Sequence, residues 1–204
     1  KLRDIQKKSL KNFYLTDKFI ANIIDEYRNN FYANSLKNTI KGKKIIHVTN
    51  FNLRHNARLF YNTGRRINNG LIRNLNSVVT LSDRDTTSYE KSIKDISGSR
   101  ALNNKLLDMT TNFKPDLILF GHADMITNET ILKIKKFYPQ IKFAQWFLDK
   151  MDSNDWRHNK KRFLQKFKLM DANFCTTHPS AINLDKKICF YIPNPVDKTL
   201  DNLQ

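Results

Sequence analysis

The chain has 204 residues, 36 Lys and Arg against 19 Asp and Glu, and a formal net charge of +17. That length holds one sizeable α/β domain plus an extension. The chain opens on Lys1, and the expectation is that it belongs to a longer protein. No apolar run approaches the ~18 residues a membrane span needs, and no signal peptide is visible, so the expected location is cytoplasmic. Two cysteines, Cys175 and Cys189, give no disulfide framework and are expected as buried thiols.

A basic excess favours polyanions: nucleic acid, anionic lipid or phosphorylated small molecules. The charge is spread along the chain rather than gathered in a block, as abundant surface Lys and Asn would also give. No helix-turn-helix, zinc pattern or RNP motif appears, which argues against nucleic acid. Contact with an anionic membrane stays open and is compatible with a lipid-linked substrate.

In chain order, residues 1–42 read as a helical extension. Thr16 or Asp17 caps a helix whose Ile20, Ile23, Ile24, Tyr27 and Phe31 share one face. From Lys44 onward, short apolar runs alternate with helical patterns. The predicted strands are Lys44–Thr49, Ser77–Leu81, Asp116–Phe120, Lys142–Phe147, Ala172–Thr176 and Ile188–Ile192. The predicted helices are Asn56–Leu75, Arg100–Asn112, Asn128–Tyr138, Asp155–Met170 and a short piece near Ser180. This alternation predicts βαβ units: a Rossmann-like, three-layer α/β domain with a mainly parallel sheet. Lys114-Pro115 and Tyr138-Pro139 punctuate two helix-to-strand joints, because proline cannot continue a helix there. In the first helix, Phe60, Gly64, Ile67, Leu71 and Leu75 share a side. Gly64 there suggests close backbone approach to the sheet or to a ligand.

Ligands of open parallel sheets bind beyond the carboxyl ends of the strands. Those ends carry "NFNLRHN", "SDRD", "GHAD", "LDKMD" and "THPS". Candidate binding residues are therefore Asn52, Arg54, His55, Arg58, Asp83, Asp149 and His178, with His122 and Asp124 as the catalytic candidates. Asn56 would cap the first helix, and Arg54 and Arg58 at its N-terminus suit a phosphate or carboxylate. Asp83 and Asp85 form a D-x-D, a weak signal for a divalent metal. No G-x-G-x-x-G, P-loop, zinc spacing or G-x-S-x-G is present, and no metal is assigned.

The stretches "HVTNFNLRHNARLFYNTGRRINNGLIRN", "SDRD", "GHAD", "AQWFLDK" and "YIPNPVD" resemble the N-terminal half of GT-B glycosyltransferases. The likeness is to the bacterial family 1/family 4 type that includes spore-maturation glycosyltransferase-like proteins, and it runs from about Lys43 to Asp197. The resemblance implies two Rossmann-like domains across a cleft, the first on the acceptor side, the second holding a nucleotide diphosphate sugar as co-substrate. It implies no bound cofactor or metal in this part. By the same resemblance residues 43–193 are the acceptor-side domain, 194–204 are a crossover linker, and the donor-binding domain lies outside this sequence. The chain alone is then expected to be inactive. The implied reaction moves a sugar to the hydroxyl of a glycan or lipid-linked acceptor. His122 is the first candidate for general base, with Asp124 to orient it or replace it, and with Asp149 and His55 next. Trp146 is a candidate wall for the sugar. The alternatives are a basic non-enzymatic α/β module binding nucleic acid or anionic lipid, and a small-molecule-binding domain without catalysis.

Overall fold

The fold is that of a computed structural model describing residues 42–56, 58–152, 157–184 and 187–201. The extension expected over residues 1–42 lies outside them, Gly42 apart. Among the described residues six parallel strands form one sheet: β1 (Lys44–Thr49), β2 (Ser77–Ser82), β3 (Leu117–Gly121), β4 (Lys142–Phe147), β5 (Ala172–Cys175) and β6 (Cys189–Tyr191). The strand order is β2-β1-β3-β4-β5-β6, with every neighbouring pair parallel. The helices are α1 (Thr63–Arg73), α2 (Asp83–Tyr89), α3 (Ser99–Phe113), α4 (Asn128–Phe137) and α5 (Arg157–Phe167). This is the Rossmann-like α/β architecture the alternating pattern predicts.

The connection after β1 runs one way along the sheet and those after β2 run the other. Right-handed crossovers then place α1 on one face and α3, α4 and α5 on the opposite face. The packing agrees. Ile46, Val48, Ile118, Phe120 and Phe143 meet Leu102 and Leu106 of α3 and Ile131 and Ile134 of α4. Ile45, Leu119, Ala144, Trp146 and Phe174 meet Ile67 and Leu71 of α1. Phe147 and Cys175 meet Phe163 and Phe167 of α5. Full burial of such side chains contributes roughly 1.5–3 kcal/mol each. Both faces are covered, so the strands read as continuous apolar runs.

Two elements differ from expectation. The first helix begins at Thr63, not Asn56: residues Leu53–His55 form a 3-10 turn that ends at Asn56 in the left-handed conformation, φ 49°. Asn62, not Asn56, is the cap, accepting the Arg65 amide at 3.0 Å while its own amide group donates to the Phe51 and Leu59 carbonyls. Phe60 and Leu75 are 52% and 62% exposed, so the sheet-facing stripe is Gly64, Ile67 and Leu71. Gly64 is needed for that contact, since a Cβ would come within 2.7 Å of the Thr49 methyl. The other difference is α2, whose buried residues are Asp83, Asp85, Thr86 and Thr87. A helix that buries polar side chains carries no apolar period to read.

Candidate functional site

Because all strands are parallel, the segments after β1 to β5 share one edge of the sheet. Asn52, Arg54, His55 and Arg58 follow β1, Asp83 follows β2, His122 and Asp124 follow β3, Asp149 follows β4, and His178 follows β5. The strand order reverses between β1 and β3, which is where an open α/β sheet leaves a crevice.

The residues just past β3 and β4 form a contiguous cluster. His122 sits in the left-handed region, φ 49°, immediately after Gly121. Non-glycine residues are held there only when their surroundings fix them. The fixing contacts are visible. The His122 ring stacks on Phe147 with centroids 4.1 Å apart and meets Trp146 edge-on at 5.4 Å. Its Nε2 accepts the Leu148 backbone N–H at 3.1 Å. The neutral ring therefore carries its proton on Nδ1, which lies 3.5 Å from Asp149 Oδ2. Burial lowers the His122 pKa, with the Arg162 and Arg84 charges acting the same way and Asp149 and Asp124 opposing. The ring is thus kept neutral at physiological pH.

Sequence reasoning pairs His122 with Asp124. The structure pairs it with Asp149. Asp124 is turned to two arginines instead: its Oδ2 accepts Arg162 Nη2 at 2.6 Å and Nε at 3.1 Å, and Arg84 Nη2 at 3.4 Å. Arg162 also reaches Asp149, Nη1 to Oδ2 at 3.5 Å, and lies over the Phe147 ring at 5.4 Å. The Asp149 side chain is 46% exposed. It is an open proton acceptor, whereas the His122 acceptor nitrogen is taken by the backbone.

Deeper in, Asp83 is fully buried, and among the described residues neither carboxylate oxygen meets a donor at hydrogen-bonding geometry. Burial pushes its pKa up to about 6, against the Arg84 amide and charge and reinforced by Asp124 and Asp85. Lys166 of α5 is also buried. Burial lowers its pKa while the Asp124 and Asp83 charges oppose. The D-x-D residues do not act as a pair. Asp85 accepts the Leu53 and Arg54 amides at 2.8 and 3.2 Å and the Ser82 hydroxyl, and it lies 3.7 Å from the Arg54 guanidinium. Arg54 thus braces the corner after β1 rather than standing at the α1 N-terminus.

The remaining candidates stand apart. Asn52 clasps Asn50, whose Nδ2 donates to Asn52 Oδ1 at 3.0 Å while the Asn52 amide donates back to Asn50 Oδ1 at 3.1 Å. Arg58 is exposed, and its amide donates to the His55 carbonyl at 3.0 Å. His178 caps the 3-10 turn Pro179–Ile182, with Nδ1 2.5 Å from Ser180 Oγ. Trp146 is buried, not a wall of the cleft. Its indole lies over Gly121, where any Cβ would overlap the ring, and its Nε1–H donates to His47 Nε2 at 3.3 Å. His47 Nδ1 then faces Asn68 Oδ1 at 3.4 Å. Burial lowers the His47 pKa to about 4, with the Asn68 hydrogen bond opposing.

Sequence reasoning missed Arg162 and Lys166, which lie one turn apart on α5 within "NKKRFLQKF", where neighbouring cations hide them. Arg84 was visible only as the residue between two aspartates. Comparison with family models, with characterised proteins and with solved structures gave no match to the chain. The class defined by fold and site is a Rossmann-like α/β domain with a histidine–carboxylate–arginine cluster at the carboxyl edge of its sheet.

Proposed function

We propose that this chain forms the acceptor-side half of a glycosyltransferase that moves a sugar from a nucleotide diphosphate sugar to an acceptor hydroxyl. The observation that carries the reading is the Asp149 carboxylate, half exposed at the carboxyl edge of the sheet and 3.5 Å from both His122 Nδ1 and Arg162 Nη1. An acceptor hydroxyl placed there gives its proton to Asp149 as its oxygen bonds to the anomeric carbon and the nucleoside diphosphate departs. His122 is a positioning residue: its Nδ1–H aims at the carboxylate and its Nε2 is anchored on the Leu148 amide. Arg162 spans Asp149 and Asp124 and fixes the distance between the two acids. Exposed Arg58, on the same edge, suits a phosphate. The resemblance of "FNLRHNARLFYNTGRRINNG" and "IPNPVD" to GT-B enzymes supports the same reading.

The test is nucleoside diphosphate release by the full-length encoded protein, supplied with a panel of nucleotide sugars and hydroxyl acceptors. Asp149→Asn is expected to lower kcat by about 10²–10⁴-fold, the usual contribution of a general base. His122→Ala is expected to lower it less and to shift the pH profile. Absence of turnover with every sugar donor, or unchanged turnover in Asp149→Asn, would sink the reading.

A further inference from the structure

The connection from α2 to α3 is a built turn with an apolar tip. Ile93 is 99% exposed and Ile96 81% exposed, and Tyr89 at the end of α2 is 64% exposed. Ile93 buries almost nothing on folding and Ile96 little, yet the backbone that displays them is fixed from several sides. Ser92 and Asp95 exchange backbone hydrogen bonds at 3.1 and 3.0 Å across the tip, and the Gly98 amide donates to the Asp95 carbonyl at 3.0 Å. Asp95 turns its carboxylate inward, accepting the Ala101 amide at 2.9 Å and the Ser97 hydroxyl at 3.2 Å. Arg100 Nη2 donates to the Lys94 carbonyl at 3.1 Å. Gly98, at φ 69°, packs its backbone against Thr87, where any side chain would overlap the Thr87 carbonyl. The tip is therefore preorganised, and little conformational freedom is lost when it binds.

We propose that this turn is a docking point for the surface of an anionic lipid bilayer, with Ile93 and Ile96 entering the boundary between headgroups and acyl chains. Lys91, Lys94 and Arg100 flank the two isoleucines along the chain and are exposed. Cations flanking exposed apolar side chains are the pairing that interfacial membrane sites use. The acids between Tyr89 and Arg100 are Glu90 and Asp95, against the cations Lys91, Lys94 and Arg100, and the Asp95 carboxylate is turned to the Ala101 amide and the Ser97 hydroxyl. A protein partner fits less well. Stable protein interfaces bury about 800 Å² on each side, and a convex turn bearing two isoleucines offers no such area. The turn lies on the same edge of the sheet as the Asp149 cluster, since α2 follows the carboxyl end of β2 and α3 leads back to β3. Docking would bring that edge to the membrane surface. The inference does not depend on sugar transfer, because lipid binding is measured with no nucleotide sugar present.

The experiment is co-sedimentation of the chain with vesicles of phosphatidylcholine alone and with about 30% phosphatidylglycerol. Binding is expected only to the anionic vesicles. Ile93→Ser with Ile96→Ser should weaken it about tenfold, and Lys91→Ala with Lys94→Ala by a similar factor, roughly what one to two surface charges supply. Circular dichroism and the unfolding midpoint should stay unchanged in both variants. Ile93→Trp should add a blue-shifted emission with anionic vesicles, over the parent spectrum. The proposal is overturned if the chain ignores anionic vesicles, or if the Ile93→Ser, Ile96→Ser variant binds them as the parent does. It is equally overturned if that variant changes the sedimentation coefficient without lipid, which would make the tip a contact between copies of the chain.

Discussion

Two buried titratable side chains set opposite pH dependences. The folded pKa of His47, about 4, lies below its ordinary 6.5. As pH falls, the unfolded chain takes up the proton first, so the His47 contribution is complete above 6.5 and is lost on going down through 4. The folded pKa of Asp83, about 6, lies above its ordinary 3.8. Its contribution is complete below 3.8 and is lost as pH rises through 6. Each amounts to roughly 3 kcal/mol across its window, at 1.36 kcal/mol per pH unit. Between about 4 and 6 the two slopes nearly cancel. Urea unfolding from pH 4 to 7 should separate them. Asp83→Asn is expected to raise stability at pH 7 by up to roughly 3 kcal/mol and to do little at pH 4. His47→Gln should remove the acid loss and leave stability falling as pH rises. A destabilised Asp83→Asn at pH 7 would mean the carboxylate has a stabilising partner in solution.

At the scale of elements, residues 194–201 are fastened to α1. Arg73 Nη2 donates to Asp197 Oδ2 at 2.7 Å, and Arg66 holds Asp201 through Nε at 2.7 Å and Nη2 at 2.5 Å. Asp197 is fully buried and also accepts the Thr199 amide at 2.7 Å. Burial acts to raise its pKa, but the hydrogen bonds from Arg73 and Thr199 outweigh it and hold the carboxyl below the usual range. Removing Arg73 leaves the buried Asp197 carboxylate to the Thr199 amide and hydroxyl, without the opposite charge of the guanidinium. Arg73→Ala should therefore cost about 3–5 kcal/mol, far more than a surface pair. Adding Asp197→Ala to that variant should recover part of the loss in denaturant titration. A loss below about 1 kcal/mol would place the pair in solvent.

Over the whole molecule, one sheet both anchors the core and sets the site. Central strands β1, β3 and β4 pair on both sides and lie under helices on both faces, whereas β2 and β6 each pair on one side. Local opening is easiest where apolar contacts are fewest. Hydrogen exchange should be slowest for amides of β3 and β4, and faster in β6 and in the 89–98 turn. Equal protection across β6 and β3 would contradict this ranking. The same parallel arrangement gathers His122, Asp149, Arg162 and the Ile93 tip along one edge of the sheet.

The amino-acid order alone encodes the α/β alternation, the six strands to within a residue or two, and the edge on which polar groups collect. Those features are local: apolar runs, prolines at the joints and the direction of the chain. It also marked Gly64 as a point of close approach, because glycine within a helix has few other uses. Packing in three dimensions settles that His122 faces Asp149 and not Asp124, that Arg162 and Arg84 claim Asp124, and that both Asp83 carboxylate oxygens are buried without a hydrogen bond among the described residues. Those pairings join residues 27 to 40 positions apart. Their geometry depends on strand register, helix rotation and burial, which no spacing encodes.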